Sequence, residues 1–233
     1  MDTQLTQAVV ERVNPLTDTI LQVFLKPEPY IPYQAGQYLQ IILGEDAFSY
    51  SIANAPLGSH QYELHIRHSP DNLTSQRLMA EIQTKGTLTI RLPFGDCEQS
   101  RLHPTKPLLF IAGGTGFAPI KAMIEQLLAE GNPRIFELFW SARSKSDLYM
   151  DEMVSHWQAH VRPFQYISLL SDTSKISMGS VILERHAHTI KDWQMVISGP
   201  FDMVYTLRDQ MVACGVSPNN LLSDAFSFEG RSI

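Results

Sequence analysis

One change of pattern, near residue 103, constrains this chain more than any other feature. Before it, short runs rich in β-branched and apolar residues lie between Pro, Gly, Asn and Asp, at residues 7–13, 19–25, 38–43, 62–66 and 87–92. Such runs predict strands of an antiparallel barrel, interrupted by one helical stretch around residues 73–82. After Leu102-His103-Pro104-Thr105-Lys106-Pro107, short apolar strands alternate with amphipathic helices. A strand is expected at 108–111, followed by a helix over about 117–130 whose Ile120, Met123, Ile124, Leu127 and Leu128 recur at helical spacing. Further strands are expected at 135–140, 166–170, 195–197 and 221–223, with helices near 147–159 and 201–214. The expected fold therefore has two domains: an antiparallel β-barrel over residues 1–102, then an α/β domain with a doubly wound parallel sheet over residues 103–233.

Bulk properties narrow the chemistry. The chain has 233 residues, 44% of them hydrophobic, which is enough apolar surface for two packed cores. Charged residues make up 18% and the net charge is −6, so neither nucleic acid nor an anionic membrane surface is an expected partner. The N-terminus is polar from Met1-Asp2-Thr3-Gln4 onward and no apolar run approaches a membrane-spanning length, so the expected location is the cytoplasm. Cys97 and Cys214 are too few for an iron–sulfur cluster or a structural zinc cage, and both are expected as reduced, buried thiols. Electrons, if they move here, need an organic carrier.

The sharpest local signal is Ala112-Gly113-Gly114-Thr115-Gly116-Phe117-Ala118-Pro119, which joins the first strand of the second half to a helix. Glycines let backbone approach a bulky anion, and the helix start offers amide donors and the positive end of its dipole to a pyrophosphate. Pro119 suits the first helical turn. A glycine cluster alone serves a ligand-free turn about as often, but its place at the carboxyl end of a parallel strand favours nucleotide binding. Upstream, Phe48-Ser49-Tyr50-Ser51-Ile52-Ala53-Asn54 reads as an ordinary strand with an exposed hydroxyl. Its residue types also suit an isoalloxazine pocket, with Tyr50 against the ring and Ser51 on the flavin N5.

These motifs, in this order and about sixty residues apart, resemble those of the NAD(P)H:flavin oxidoreductases of the ferredoxin-reductase superfamily. The family's flavin motif, Arg-x-(Tyr/Phe)-Ser, is matched by Phe48-Ser49-Tyr50-Ser51, with Phe48 in place of the arginine. Gly113-Gly114-Thr115-Gly116 and Pro119 match its nucleotide loop. Val196-Ile197-Ser198-Gly199-Pro200 is similar to its Cys-Gly-Pro segment with serine for cysteine, and Asp224-Ala225-Phe226-Ser227-Phe228 is close to the tail of members that use flavin as a diffusible substrate. The resemblance implies a flavin-binding Greek-key barrel and a ferredoxin-reductase-like nucleotide domain. It implies NADPH or NADH as hydride donor and FMN, FAD or riboflavin as acceptor, held loosely or used as substrate. A flavin-dependent acceptor enzyme would then be a partner.

By the same resemblance, His65, Ile66 and Arg67 lie on the strand whose backbone contacts the flavin, and Thr74 and Ser75 meet its phosphate; as plain sequence these are a half-buried strand and a helix N-cap. Arg143 and Lys145 follow the second parallel strand, where cations meet the 2′-phosphate of NADPH, although a solvated loop explains them as well. His186 and His188 have no evident carboxylate or third ligand and are expected at the surface. The implied mechanism has the nicotinamide entering over the flavin between the domains, with Thr115 and Ser198 shaping its pocket, Ser51 holding N5, and Phe226 shielding the ring until the nucleotide arrives. Two rivals stand beside it: a reductase with tightly held FAD serving an oxygenase or a deoxysugar dehydratase system, and a non-enzymatic redox sensor.

Overall fold

The computed structural model describes residues 2–173 and 176–228. The chain forms two compact units, one of residues up to Ser100 together with Lys121–Glu130, the other of Arg101–Ile120 with the described residues from Gly131 onward.

The first unit contains β1 (Gln4–Thr17), β2 (Ile20–Glu28), β3 (Tyr38–Leu43), β4 (Asp46–Ser51), β5 (Tyr62–Arg67), α1 (Leu73–Lys85) and β6 (Thr87–Phe94). Every strand pairing is antiparallel, in the order β4-β3-β6-β1-β2-β5. The two outer strands meet just past β4, where Ile52 bridges Leu64 and the Ala53 N–H donates to Glu63 O at 2.7 Å, closing a Greek-key barrel. Alternation along β2 and β3 turns Val23, Leu25, Leu39 and Ile41 inward, where they are fully buried with Leu64, Leu88, Ile90 and Leu92. Each such side chain contributes about 1.5–3 kcal/mol on burial. Leu78, Met79 and Ile82 of α1 pack on this core. The helix starts at Asn72, whose Oδ1 accepts from Ser75 N at 2.9 Å, so Asn72 and not Ser75 is its N-cap. It stops at Gly86, which adopts φ +64 and donates to Ile82 O.

The second unit contains β7 (Leu108–Gly113), the start of α2 (Phe117–Ala129), β8 (Phe136–Ala142), α3 (Asp151–His160), β9 (Phe164–Leu170), α4 (Met178–Arg185), β10 (Gln194–Ser198), α5 (Phe201–Ala213) and β11 (Leu221–Leu222). The strands are parallel in the order β11-β10-β7-β8-β9. The chain thus winds outward from β7 to one side and from β10 to the other. Their carboxyl ends lie side by side, with Ser198 opposite Ala112, and this is the topological switch point where doubly wound sheets bind ligands. β7 is buried along its whole length, as a central parallel strand requires.

Three expectations are corrected here. The helix α4 has no counterpart in the periodicity reading. Its arginine and the following histidine dock on the sheet: Glu137 of β8 accepts from Arg185 Nε at 2.8 Å and Nη2 at 3.1 Å, and lies 3.1 Å from His186 Nε2. His186 is therefore a core histidine, 6% exposed, whose carboxylate stands 49 residues upstream. Cys97 is buried as expected but Cys214 is exposed, and neither forms a disulfide.

Candidate functional site

On β4, pairing with β3 sets Phe48 opposite Ile41 and Tyr50 opposite Leu39, so both aromatic residues share the core-facing side and pack on the barrel interior. Burial pushes the Tyr50 phenol above its ordinary range. Ser49 and Ser51 alternate to the other face: Ser49 is exposed, Ser51 half-buried. The Ser51 hydroxyl has no hydrogen-bond partner among the described residues. The Ile52–Leu64 bridge makes Ser51 and His65 the next residues along the two antiparallel segments. His65 and Ile66 are buried, whereas Arg67 is exposed and has no ion pair among the described residues. Thr74 and Ser75 are half-buried in the first turn of α1, and Ser75 Oγ accepts from Ser69 N at 3.3 Å.

Beside this strand lies an ion cluster that sequence reasoning missed. Glu63 accepts from Gln22 Nε2 at 2.6 Å, from His65 Nε2 at 2.9 Å and from Lys121 Nζ at 2.9 Å. Burial alone would raise the Glu63 carboxyl, but the His65 hydrogen bond and the Lys121 charge outweigh it and hold the pKa down to about 2. Burial keeps His65 below its usual range despite Glu63, so the ring is neutral and its Nε2 carries the proton donated to the carboxylate. Little signal for it was present in the sequence, because Glu63, His65 and Arg67 alternate on one side of β5 as a solvent-facing side would, and only the fold buries Glu63 and His65.

The second unit supplies the glycine loop. Gly114–Gly116 forms one 3-10 turn between β7 and α2, and Gly114 adopts φ +54, a left-handed backbone that favours glycine. A side-chain carbon on Gly113 would meet Met203 Sδ at 2.7 Å, and one on Gly116 would overlap the Ser198 carbonyl. The loops after β7 and β10 are thus set backbone against backbone. Trp140, another residue missed from sequence, donates from Nε1 to Gly114 O at 3.0 Å and stacks on Phe117 with centroids 4.0 Å apart. Thr115 and Ser198 are both half-buried, and neither hydroxyl has a partner among the described residues. Gly199 and Pro200 lead into α5, with Pro200 at its N-cap, and Pro119 lies in the first turn of α2.

Two other sets of candidates are engaged locally. Arg143 reaches Asp147 at 3.7 Å and Lys145 reaches Asp151 at 2.9 Å, with both cations largely exposed. Phe226 lies 6.5 Å from the Tyr205 ring and 5.7 Å from the Arg208 guanidinium, and Tyr205 Oη donates to Ala225 O at 2.7 Å. The structure thus gathers Tyr50, Ser51, His65 and Ile66 at the barrel closure. Separately, it gathers Thr115, Ser198 and their glycines at the switch point.

Comparison with known proteins agrees with this architecture. Residues 110–209 match the family model described as the oxidoreductase NAD-binding domain. Over 190 residues the chain is 36% identical to terephthalate 1,2-dioxygenase reductase component 1 of Comamonas sp, covering 80% of this chain and 52% of that protein. The chain thus spans about half the length of that curated relative. It is 27% identical to an NAD(P)H-flavin reductase of Vibrio harveyi over 237 residues, covering 95% of this chain and 98% of the other. Among solved structures, the Amycolatopsis cytochrome P450 reductase GcoB shares the fold with a TM-score of 0.82 at 21% identity, over 95% of this chain and 69% of that one. A closed antiparallel barrel followed by a doubly wound sheet, matched over residues 110–209 by the oxidoreductase NAD-binding model, is thus the fold this chain shares with these reductases.

Proposed function

We propose that the chain is an NAD(P)H:flavin oxidoreductase that reduces FMN, riboflavin or FAD by direct hydride transfer and releases the reduced flavin. One observation carries this reading: Ser51, Thr115 and Ser198, the three hydroxyls the chemistry would use, are each half-buried without a partner among the described residues. A half-buried hydroxyl with no internal partner is available to a ligand. When both substrates are bound, the nicotinamide supplies the hydride and the flavin N5 receives it. The residues do the positioning. Ser51 would donate to N5, Tyr50 would offer its ring edge beside the isoalloxazine, and Thr115 and Ser198 would bound the nicotinamide at the switch point. Gly113, Gly116 and Gly199 would let the two loops and Met203 close on each other, and with Gly114 and Pro200 they would shape the backbone that borders the pyrophosphate. Thr74, Ser75 and Arg67 would border the flavin side chain.

The test is NADH and NADPH oxidation with and without added flavin. Turnover that requires added flavin supports the reading, and absence of turnover with every flavin rejects it. The similarity to a dioxygenase reductase component favours a second reading, in which FAD stays bound and electrons pass to a partner oxygenase. A protein that purifies with stoichiometric flavin and needs none added would select it.

A further inference from the structure

Among the described residues five Glu, His and Lys side chains are buried: Glu63, His65 and Lys121 in the first unit, Glu137 and His186 in the second. The second group joins α4 to β8 through hydrogen bonds that include no candidate site residue. The first group grips the segment that follows Ser51.

The Lys121 ammonium has three protons and three acceptors: Ala53 O at 3.0 Å, Glu63 Oε2 at 2.9 Å and Glu125 Oε1 at 2.7 Å. The other Glu125 oxygen accepts from Ala55 N at 3.1 Å. Glu63 works through its backbone as well, accepting from Ala53 N at 2.7 Å and donating to Asn54 Oδ1 at 2.8 Å. Tyr33 Oη donates to Asn54 O at 2.8 Å, and Asn54 Nδ2 donates to Gln61 O at 3.1 Å. Three consecutive residues, Ala53 to Ala55, are therefore held at six polar atoms, starting two residues after Ser51.

This arrangement is a poor device for stability, because a buried ion pair replaced by apolar residues of similar size often leaves stability unchanged or improved. Its strength is geometric. Charge-assisted hydrogen bonds are short and directional, and a hydroxyl aimed at one ring atom must be held to within about 0.5 Å. Lys121 meets the Ala53 carbonyl from the helix side while Glu63 meets the Ala53 amide from the strand side, so the two peptide units that flank Ala53 are each held by a hydrogen bond.

We propose that Lys121, with Glu63 and Glu125, is a positioning residue for the flavin half of the site, fixing the Ala53–Ala55 backbone and through it the direction of the Ser51 hydroxyl. The inference rests on the flavin-reductase reading, and it extends that reading to residues that touch neither substrate.

Three variants test it, Lys121→Met, Lys121→Met/Glu63→Met and Glu137→Gln. Each is measured below its own Tm for riboflavin affinity by fluorescence quenching, single-turnover flavin reduction and nucleotide KM. Lys121→Met should slow reduction about tenfold and weaken riboflavin several-fold, as expected for one misaligned hydrogen bond, with nucleotide KM unchanged. The double variant should regain Tm without regaining rate or affinity. Glu137→Gln should lose Tm and keep both. A Lys121→Met or double variant that binds and reduces flavin as the parent does overturns the proposal. If the parent itself shows no turnover, the flavin-reductase reading fails separately, and riboflavin affinity alone still decides the positioning claim.

Discussion

The carbonyl of Ser198 occupies the space where a side chain on Gly116 would begin, and the Gly199 amide nitrogen lies only 2.6 Å from that point. Two loops at the switch point are therefore closed on each other through backbone alone. Gly116→Ala must push them apart, at a cost of about 1–3 kcal/mol for overpacking. The expected result is a Tm lower by several degrees together with a raised KM for the nucleotide. Gly114 sits at φ +54, so Gly114→Val strains the turn that would border the pyrophosphate. An unchanged nucleotide KM in a folded Gly114→Val protein would remove this loop from the binding site.

Ser51→Ala deletes a hydroxyl that has no partner among the described residues, so folding should lose little. Hydride transfer should slow on the order of ten- to a hundredfold, the value of one positioned hydrogen bond in the transition state. Stopped-flow reduction at the parental rate would show that Ser51 does not hold N5.

Much of this was legible in the sequence because it lies in local patterns. Short β-branched and apolar runs between turn residues marked the barrel strands, and a strand leading into Gly113-Gly114-Thr115-Gly116 marked the switch point. The short helix α4 escaped because eight residues starting Met178-Gly179 give barely two turns of periodicity and carry a weak helix former. Lys121 escaped for a different reason. It sits on a helix where lysine usually faces water, and its partner Glu63 is 58 residues away, so only the folded barrel brings the charges together. His186 was misplaced in the same way, since its carboxylate comes from a different strand. Local physics fixes elements, whereas buried charge pairs are tertiary facts.

The Glu63–His65 pair makes stability depend on acid in two windows. His65 has its folded pKa lowered below the ordinary 6.5, so the unfolded chain binds its proton first and stability falls as pH drops below that value. Glu63 is held at about 2 against an ordinary 4.5, so its contribution is complete above 4.5 and is lost as pH falls toward 2. Denaturant unfolding across pH 8 to 3 should show both declines. His65→Asn should abolish the upper one. Glu63→Gln should abolish the lower one and also lower Tm at neutral pH, since Lys121 then keeps only Glu125 as a charged partner.

Arg143 and Lys145 spend their charge on Asp147 and Asp151, but exposed pairs of this kind hold by only about 0–1 kcal/mol. A 2′-phosphate can therefore recruit either cation at little cost. Arg143→Ala should raise KM for NADPH about tenfold while leaving that for NADH unchanged, and the difference should shrink at high salt. Equal losses for both nucleotides would mean loop damage, not phosphate recognition.

The remaining prediction concerns how the flavin is held. Where the flavin motif that this segment resembles carries an arginine, Phe48 faces Ile41 and packs on the barrel core, so this position carries no charge and is already committed to packing. A charge-assisted hydrogen bond is worth about 1.5–3 kcal/mol, one to two orders of magnitude in affinity, and its loss should leave flavin weakly bound and the purified protein nearly colourless. Riboflavin and FMN should then show similar Michaelis constants, because the ring supplies most of the binding. Two cations lie on neighbouring elements. Arg77 holds Leu43 O at 2.6 Å as well as exposed Asp46 at 2.7 Å, whereas exposed Arg67 has no ion pair among the described residues and gives up nothing to meet a phosphate. Arg67→Ala should therefore erase whatever preference for FMN over riboflavin exists, and Arg77→Ala should not. Phe48→Arg sets two effects against each other: it removes an aromatic ring from the core-facing side, lowering Tm, and it restores the cation, tightening FMN selectively. Calorimetric titration with both flavins decides between them. Nanomolar FMN binding to the parent, alongside weak riboflavin binding, would show that the phosphate is gripped after all and that flavin is not a freely exchanging substrate.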